Sequence, residues 1–363
     1  MRRRLGLELQ VLVTGASGYI GTHVVQQLQE QGYRVRGTVR SMQNPSEVEP
    51  LRQVCPQAKY PVELVEADLL TADSWPPAVE DALYVIHMAS PVPLYNPRRE
   101  DEVIKPAVEG TLNVLRACHA TGGVKRVVLT SSCMAVSAGV PGEHAVYTEA
   151  DWTDPEKVKM TYMKSKTLAE RAAWDYHSQL TEPDRFELAV INPALVMGPP
   201  LCGVVGTSME MIRRLMHHET SMVPRVNFPL VDVRDVAAAH VAAMTVPEAA
   251  GHRHIVCAEN LWYADIAGIL ASEFQPQGYK VPTAVCPDAL LWLHARFNRS
   301  SKMILPSVGK VAKLDNGRME NVLGIKPRDV KEALLDMCYS LIEQGFVKKT
   351  SKYTPRKDQS AAL

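Results

Sequence analysis

Residues 14–21, TGASGYIG, constrain this chain more than any other stretch. They follow LQVLVTG (9–15), a β-branched apolar run ending in glycine. They open residues 18–31, where Ile20, Val24, Val25 and Leu28 recur at helical spacing. Gly15, Gly18 and Gly21 thus sit where a strand turns into a helix, the context that a pyrophosphate cradle requires. The first glycine permits the tight turn, the second lets backbone N–H groups approach phosphate, and the third allows helix to lie on strand. The helix N-terminus adds about half a positive charge. Thr14, Gly15, Gly18, Tyr19, Ile20 and Gly21 are the expected cofactor contacts. A strand–turn–helix corner without a ligand is the competing reading, and the G-x-x-G-x-x-G spacing differs from the G-x-G-x-x-G of many dehydrogenases.

The same rhythm continues downstream. RVRGTVR (34–40), PVELVEAD (61–68), ALYVIHMAS (82–90), RVVLTSS (126–132) and ELAVINPALV (187–196) read as strands, with helical patterns over 101–120 and about 156–180. Strands alternating with helices predict βαβ units: an α/β, Rossmann-type, doubly wound parallel sheet. Beyond about 197, helices dominate (206–218, 236–246, 263–274, 286–297 and 328–345), with short strands at 228–233 and 253–258. The expected division is a dinucleotide-binding domain over 8–196, a smaller, mostly helical substrate lobe over 197–346 and a disordered polar tail over 347–363. Later strands are free to return to the first sheet.

A carboxylate about 20 residues after the cradle would bind the ribose 2′-OH of NAD. Here the second strand ends Gly37-Thr38-Val39-Arg40-Ser41, with no acid. The Arg40 guanidinium suits a 2′-phosphate and points to NADP(H); the bland alternative is a solvated strand-end charge. Asp68, with Leu69 beside it at the end of the third strand, either contacts the adenine or caps a helix.

In TYMKSK (161–166), Tyr162 and Lys166 stand about 40° apart on one helix face. An ammonium about 5 Å from the phenol, at an effective dielectric of about 20, supplies roughly 3 kcal/mol. That would lower the tyrosine pKa by about two units, towards the range of a useful general acid, while burial opposes it. Tyr353 and Lys357 repeat the spacing in the polar tail with Pro355 between them, where no regular helix forms, so spacing alone is weak. Thr130-Ser131-Ser132 adds a third component at a strand's carboxyl end, where open α/β sheets bind ligands. A serine there holds a carbonyl oxygen or forms a turn.

Cradle, serine and Tyr-x-x-x-Lys in this order resemble the extended short-chain dehydrogenase/reductase family over nearly the whole chain. KRVVLTSSCMAV, YMKSKTLAERAAWDY, FELAVINPALVMGPP and VDVRDVAAAH are similar to its dihydroflavonol-4-reductase-like branch. The resemblance implies NADP(H) and interconversion of a carbonyl and an alcohol. Tyr162 would be the acid/base, Lys166 would tune it and hold the nicotinamide ribose, and Ser132 would orient the carbonyl, with Ser131 as runner-up and cofactor neighbour. Ala89 and Ser90 would line the cofactor, and Pro193 and Val196 would flank the nicotinamide. Where the wider superfamily carries a proton-relay asparagine, this chain has Pro106 and Ala107, with Asn113 two turns later.

Among 363 residues, 40 Lys+Arg balance 40 Asp+Glu, which gives no basic excess for a nucleic-acid or membrane-surface partner. No run approaches the ~20 apolar residues of a membrane span, and MRRRLGLELQ lacks the apolar core of a signal peptide. Seven cysteines without a CxxC pattern predict free thiols and a cytoplasmic setting. His217-His218 and His252/His254 lack further ligands, so no metal site is expected. Pro91, Val92 and Leu94 are candidates for an apolar pocket. The leading expectation is NADPH-dependent reduction of an apolar or phenolic ketone or aldehyde, with a homodimer admissible. The alternatives are an NAD-dependent hydroxysteroid dehydrogenase, a sugar-nucleotide epimerase and a non-catalytic NADP-binding sensor.

Overall fold

The computed structural model describes residues 10–93, 96–138, 146–181, 185–201 and 206–356. Leu94, Cys202 and Lys357 lie outside these. Seven parallel strands make the central sheet: β1 (Gln10–Thr14), β2 (Arg34–Val39), β3 (Glu63–Glu66), β4 (Tyr84–His87), β5 (Arg126–Thr130), then, past the short β6 (Val146–Tyr147), β7 (Glu187–Pro193) and, past β8 (Leu195–Met197) and β9 (Asn227–Asp232), β10 (Arg253–Val256). Their order is β10-β7-β5-β4-β1-β2-β3. Period-two alternation sends successive side chains to opposite faces. Val11 and Val13 enter one apolar core, and Leu12 enters the other.

Helices cover both faces. On one side lie α1 (Tyr19–Glu30) and α2 (Pro45–Gln53), through Val24, Val25, Leu28, Val48 and Leu51. On the other lie α3 (Trp75–Val79), α4 (Asp101–Thr121) and, past α5 (Met134–Ser137), α6 (Thr161–Ser178), through Trp75, Val114, Leu115 and Ala173. Pro106 stands inside α4, in its second turn.

The remaining chain builds a third core and also returns to the sheet. The strands β8, β9 and β11 (Glu259–Trp262) form a three-stranded sheet. Against it pack α7 (Thr207–Met216), α9 (Tyr263–Phe274) and, past α10 (Asp288–His294), α11 (Arg299–Ile304) and α12 (Gly317–Asn321), the long α13 (Val330–Glu343). The return to the central sheet is made by β10, beside β7, and by α8 (Val233–Thr245), through Val236 and Ala239. Residues 347–356 pack on the rest of the chain. Val347 is buried, Tyr353 Oη donates to Glu343 at 2.7 Å, and Arg356 donates to Asp336 at 2.5 Å.

The sheet's topology creates the cleft. From β1 the chain winds outward to β2 and β3, then returns to the other side of β1 as β4. Ligands bind at such a switch point, outside the carboxyl ends of the strands. There Thr14 ties β1 to β4: its Oγ1 accepts from the amides of Met88 and Ala89, both at 3.0 Å. Gly15 turns with φ +65°, and a Cβ on it would stand 3.0 Å from the Ala89 backbone. A Cβ on Gly21 would lie 2.4 Å from Gly15 O and 2.8 Å from Ala16 O. We therefore expect Gly21→Ala to destabilise the fold by about 1–3 kcal/mol by overpacking. A thermal midpoint equal to that of the parent protein would refute this contact.

Candidate active site

The cradle is shaped for an anion. Gly18 is the N-cap of α1, and no side chain caps that first turn. Gly18 N donates to Gly15 O at 3.0 Å, and a Cβ on Gly18 would crowd that oxygen at 3.2 Å. An uncapped helix start beneath a turn bounded by Gly15 and Gly18 fits a bound pyrophosphate. The neighbouring polar side chains serve the scaffold instead. Thr14 Oγ1 meets His87 Nδ1 at 2.7 Å, and Tyr19 Oη donates to Gly198 O at 2.7 Å. What Thr14 and Tyr19 can offer a cofactor is backbone. Ile20 is packed against the core.

At the end of β2, the Arg40 side chain is 81% exposed, and its Nη2 lies 2.8 Å from Glu47 Oε1. Glu47 comes from the first turn of α2 and also accepts from Arg40 N at 3.0 Å and Asn44 Nδ2 at 3.2 Å. The strand end has no acid in sequence, but folding brings one. Its oxygens are engaged in aiming Arg40 outward. Asp68 caps no helix: its Oδ1 accepts from Leu70 N at 2.8 Å in a local turn, and the following 3-10 turn (Ala72–Ser74) is preceded by Thr71. Leu69 packs on α4, where a Cβ on Gly110 would overlap its side chain at 2.7 Å, and Leu69 O accepts from Asn113 Nδ2 at 2.9 Å.

The turn after β5 is stitched to β7. Ser131 N donates to Ile191 O at 2.8 Å, and Cys133 N donates to Pro193 O at 2.9 Å. Asn192 Nδ2 donates to Ser132 O at 3.2 Å. The two serines diverge from here. Ser131 Oγ donates to Glu170 Oε2 at 2.5 Å, whereas Ser132 Oγ accepts from Met134 N at 3.2 Å and lies beside the Tyr162 phenol. Lys166 Nζ, one turn further along α6, donates to Thr130 O at 3.2 Å. A cavity of about 10 Å³, room for one water, is lined by Ala89, Ser90, Thr111, Thr130, Ser131, Lys166 and Glu170 among others. Val196, in β8, is half-buried beyond Pro193.

Residues 11–258 match the NAD dependent epimerase/dehydratase family. The chain belongs to that family. Its dihydroflavonol-reductase-like character is borne out by its relatives. Cinnamoyl-CoA reductase CAD2 of Medicago truncatula is 38% identical over 267 residues, covering 72% of this chain and 79% of that one. Dihydroflavonol 4-reductase of Zea mays is 34% identical over 282 residues, with 75% and 76% covered. Yeast methylglyoxal/isovaleraldehyde reductase Gre2, solved in complex with NADPH, superimposes with a TM-score of 0.78 at 28% identity, covering 94% of this chain and all of that one.

Electrostatics in this member of the family differ from the sequence expectation in one respect. Lys166 does not dominate the phenol. Desolvation pushes Tyr162 up to about 12, with the Ser132 hydrogen bond acting in the opposite direction. Lys166 itself is lowered to about 8 by burial, against the attraction of Glu170. Two buried imidazoles beside it are also driven neutral by desolvation, His87 to about 3 and His240 to about 4. His240 Nε2 meets Thr130 Oγ1 at 2.7 Å. Sequence reading missed His87, His240, Glu170 and Glu47, whose partners are set by tertiary contact.

A lysine depressed in the folded state makes stability pH-dependent. Between about 8 and 10.5 the unfolded chain binds a proton that folded Lys166 has released, so stability from this group rises with pH. Below 8 the penalty is fully present. We expect the stability gap between Lys166→Met and the parent protein to shift in the parent's favour by up to about 3 kcal/mol from pH 8 to pH 10. Parallel denaturation curves at both pH values would contradict a buried, depressed Lys166.

Proposed function

We propose that this protein reduces the ketone or aldehyde of a small apolar or phenolic molecule to an alcohol, using NADPH, with Tyr162 delivering the proton. The observation that carries this reading is that Ser132 lies beside the Tyr162 phenol while Lys166, one turn along the same helix, reaches Thr130 O at the carboxyl end of β5. The chain is an NADP-dependent oxidoreductase, in keeping with the reductases it resembles and with the NADPH held by the yeast relative. The names of those relatives describe carbonyl substrates, and this supports the same reaction here.

Bound NADPH supplies the hydride equivalent that the carbonyl carbon accepts. The chain's part is to bind, orient and protonate. Gly15, Gly18 and the start of α1 hold the pyrophosphate. Arg40, steadied by Glu47, would offer its guanidinium to the 2′-phosphate. Ser132 holds the substrate oxygen within reach of the phenol. A phenol near 12 stays protonated at neutral pH, so it enters reduction as the acid that the developing alkoxide needs. Lys166, at about 8, is mostly cationic at pH 7 and stabilises the phenolate left behind. The lobe built on α7, α9 and α13 is where we place the apolar end of the substrate, with the exposed Val92 a candidate contact.

Two outcomes test this. Tyr162→Phe should cut NADPH oxidation with a panel of aromatic and aliphatic carbonyls by about 10²–10⁴-fold while leaving NADPH affinity within a few-fold. A Tyr162→Phe rate equal to that of the parent would remove the acid. A parent protein that binds NADPH and turns over no carbonyl would favour the sensor. Separately, Arg40→Ala should weaken NADPH binding by about 10–100-fold, the worth of a charge-assisted hydrogen bond, and leave NADH binding nearly unchanged. Equal losses for the two cofactors in a fluorescence titration would take the 2′-phosphate away from Arg40.

A further inference from the structure

Glu170 lies one helical turn beyond Lys166, and its side chain is fully enclosed. Its carboxylate serves four elements at once. Oε2 accepts from Ser131 Oγ at 2.5 Å and from Asn192 Nδ2 at 2.9 Å. Oε1 accepts from Arg253 Nε at 2.5 Å and from Trp174 Nε1 at 3.4 Å. Asn192 Nδ2 also reaches Ser132 O, so one carboxylate holds the serine turn by two routes. Arg253, from β10, is fixed in turn by Glu149 O at 3.0 Å and Asp151 O at 2.5 Å, and it stacks 3.8 Å from the Trp152 ring.

A buried ion pair is a poor device for stability alone, because well-packed apolar residues often do as well or better. The pair's position is more informative. The groups facing Lys166 are Glu170 from α6, His87 from β4, His240 from α8, Thr111 from α4 and the Thr130 carbonyl from β5. Burial keeps both imidazoles neutral above about pH 4. Among the described residues, Glu170 is the negative charge acting on Lys166.

We propose that Glu170 is a positioning residue that sets the turn aiming Ser132 at Tyr162 and, tempered by Arg253, keeps the desolvated Lys166 ammonium protonated. The inference rests on the roles of Ser132, Tyr162 and Lys166 proposed above. Its sign is fixed by geometry. Removing the carboxylate's charge makes Lys166 easier to deprotonate; removing the guanidinium leaves the carboxylate uncompensated and makes it harder.

The test uses the full chain. Glu170→Gln keeps the size and an acceptor oxygen but not the charge, and Arg253→Met removes the counter-charge. Each leaves one buried charge unpaired and threatens folding, so the double variant Glu170→Gln/Arg253→Met, which leaves none, carries the test if either fails. The side-chain NMR shift of isotopically labelled Lys166 across pH, assigned with Lys166→Met, follows its titration without turnover. The midpoint should fall by about one pH unit in Glu170→Gln, fall by a smaller amount in the double variant, and rise in Arg253→Met. The alkaline limb of kcat for carbonyl-dependent NADPH oxidation should move the same way, and Glu170→Asp should restore the limb at reduced kcat. A purely structural Glu170 would lower kcat at every pH and leave the limb in place. An unmoved Lys166 midpoint in the double variant overturns the inference. Shifted midpoints in a protein that oxidises NADPH with no carbonyl would support the Glu170–Lys166 link and sink the proposed reaction instead.

Discussion

Parallel strands end with backbone groups that the ladder no longer pairs, and in this molecule side chains take over at that edge. Thr14 Oγ1 accepts two amides from the residues after β4. Thr38 Oγ1 accepts Gly15 N at 3.1 Å. Asn192 donates to the carbonyl of Ser132. Buried polar groups left unpaired cost about 1–3 kcal/mol each, so these contacts fix where the strands stop. Because they stop in register, the glycine turn, the serine turn and the start of α6 converge on one cleft. Every functional statement about this protein depends on that convergence.

The fold was legible because its signals are local. Buried parallel strands read as continuous apolar runs, and the cradle's glycines sit within eight residues of one another. The seven-stranded sheet and its flanking helices follow the periodicities of the sequence. The return of β10 to the central sheet has no such local signal. RHIV looks like any short strand, and only the edge left open beside β7 decides its partner. The charged network was illegible for the same reason. Glu170 and Arg253 lie 83 positions apart, and Glu170 reads in sequence as one more acid in a polar helix. Glu47 stands only seven residues from Arg40, yet nothing in the intervening loop announces that α2 folds back onto the strand end.

The phenol is the instructive disagreement. A Coulomb estimate of roughly 3 kcal/mol at 5 Å and a dielectric near 20 favours an acidic tyrosine. The structure tips the balance the other way. Lys166 Nζ donates to Thr130 O and is acted on by Glu170. Desolvation is the largest influence on the phenol, and two pKa units upward amount to roughly 3 kcal/mol against ionisation.

That outcome suits a reductase better than the acidic phenol would. A general acid must hold its proton until the acceptor becomes basic, and an alkoxide is far more basic than any phenolate. Protonation then runs downhill even from a pKa near 12. What limits the step is the phenolate left in a desolvated pocket, and the ammonium of Lys166 is the group placed to offset it. A lysine near 8 has little margin at neutral pH: losing its proton would leave that phenolate facing no cation among the described residues around Lys166. The enclosed carboxylate of Glu170 adds to this margin, and the guanidinium of Arg253 limits how much it adds. On the proposed reading the acid depends on the lysine, and the lysine on the Glu170–Arg253 ion pair that joins α6 to β10.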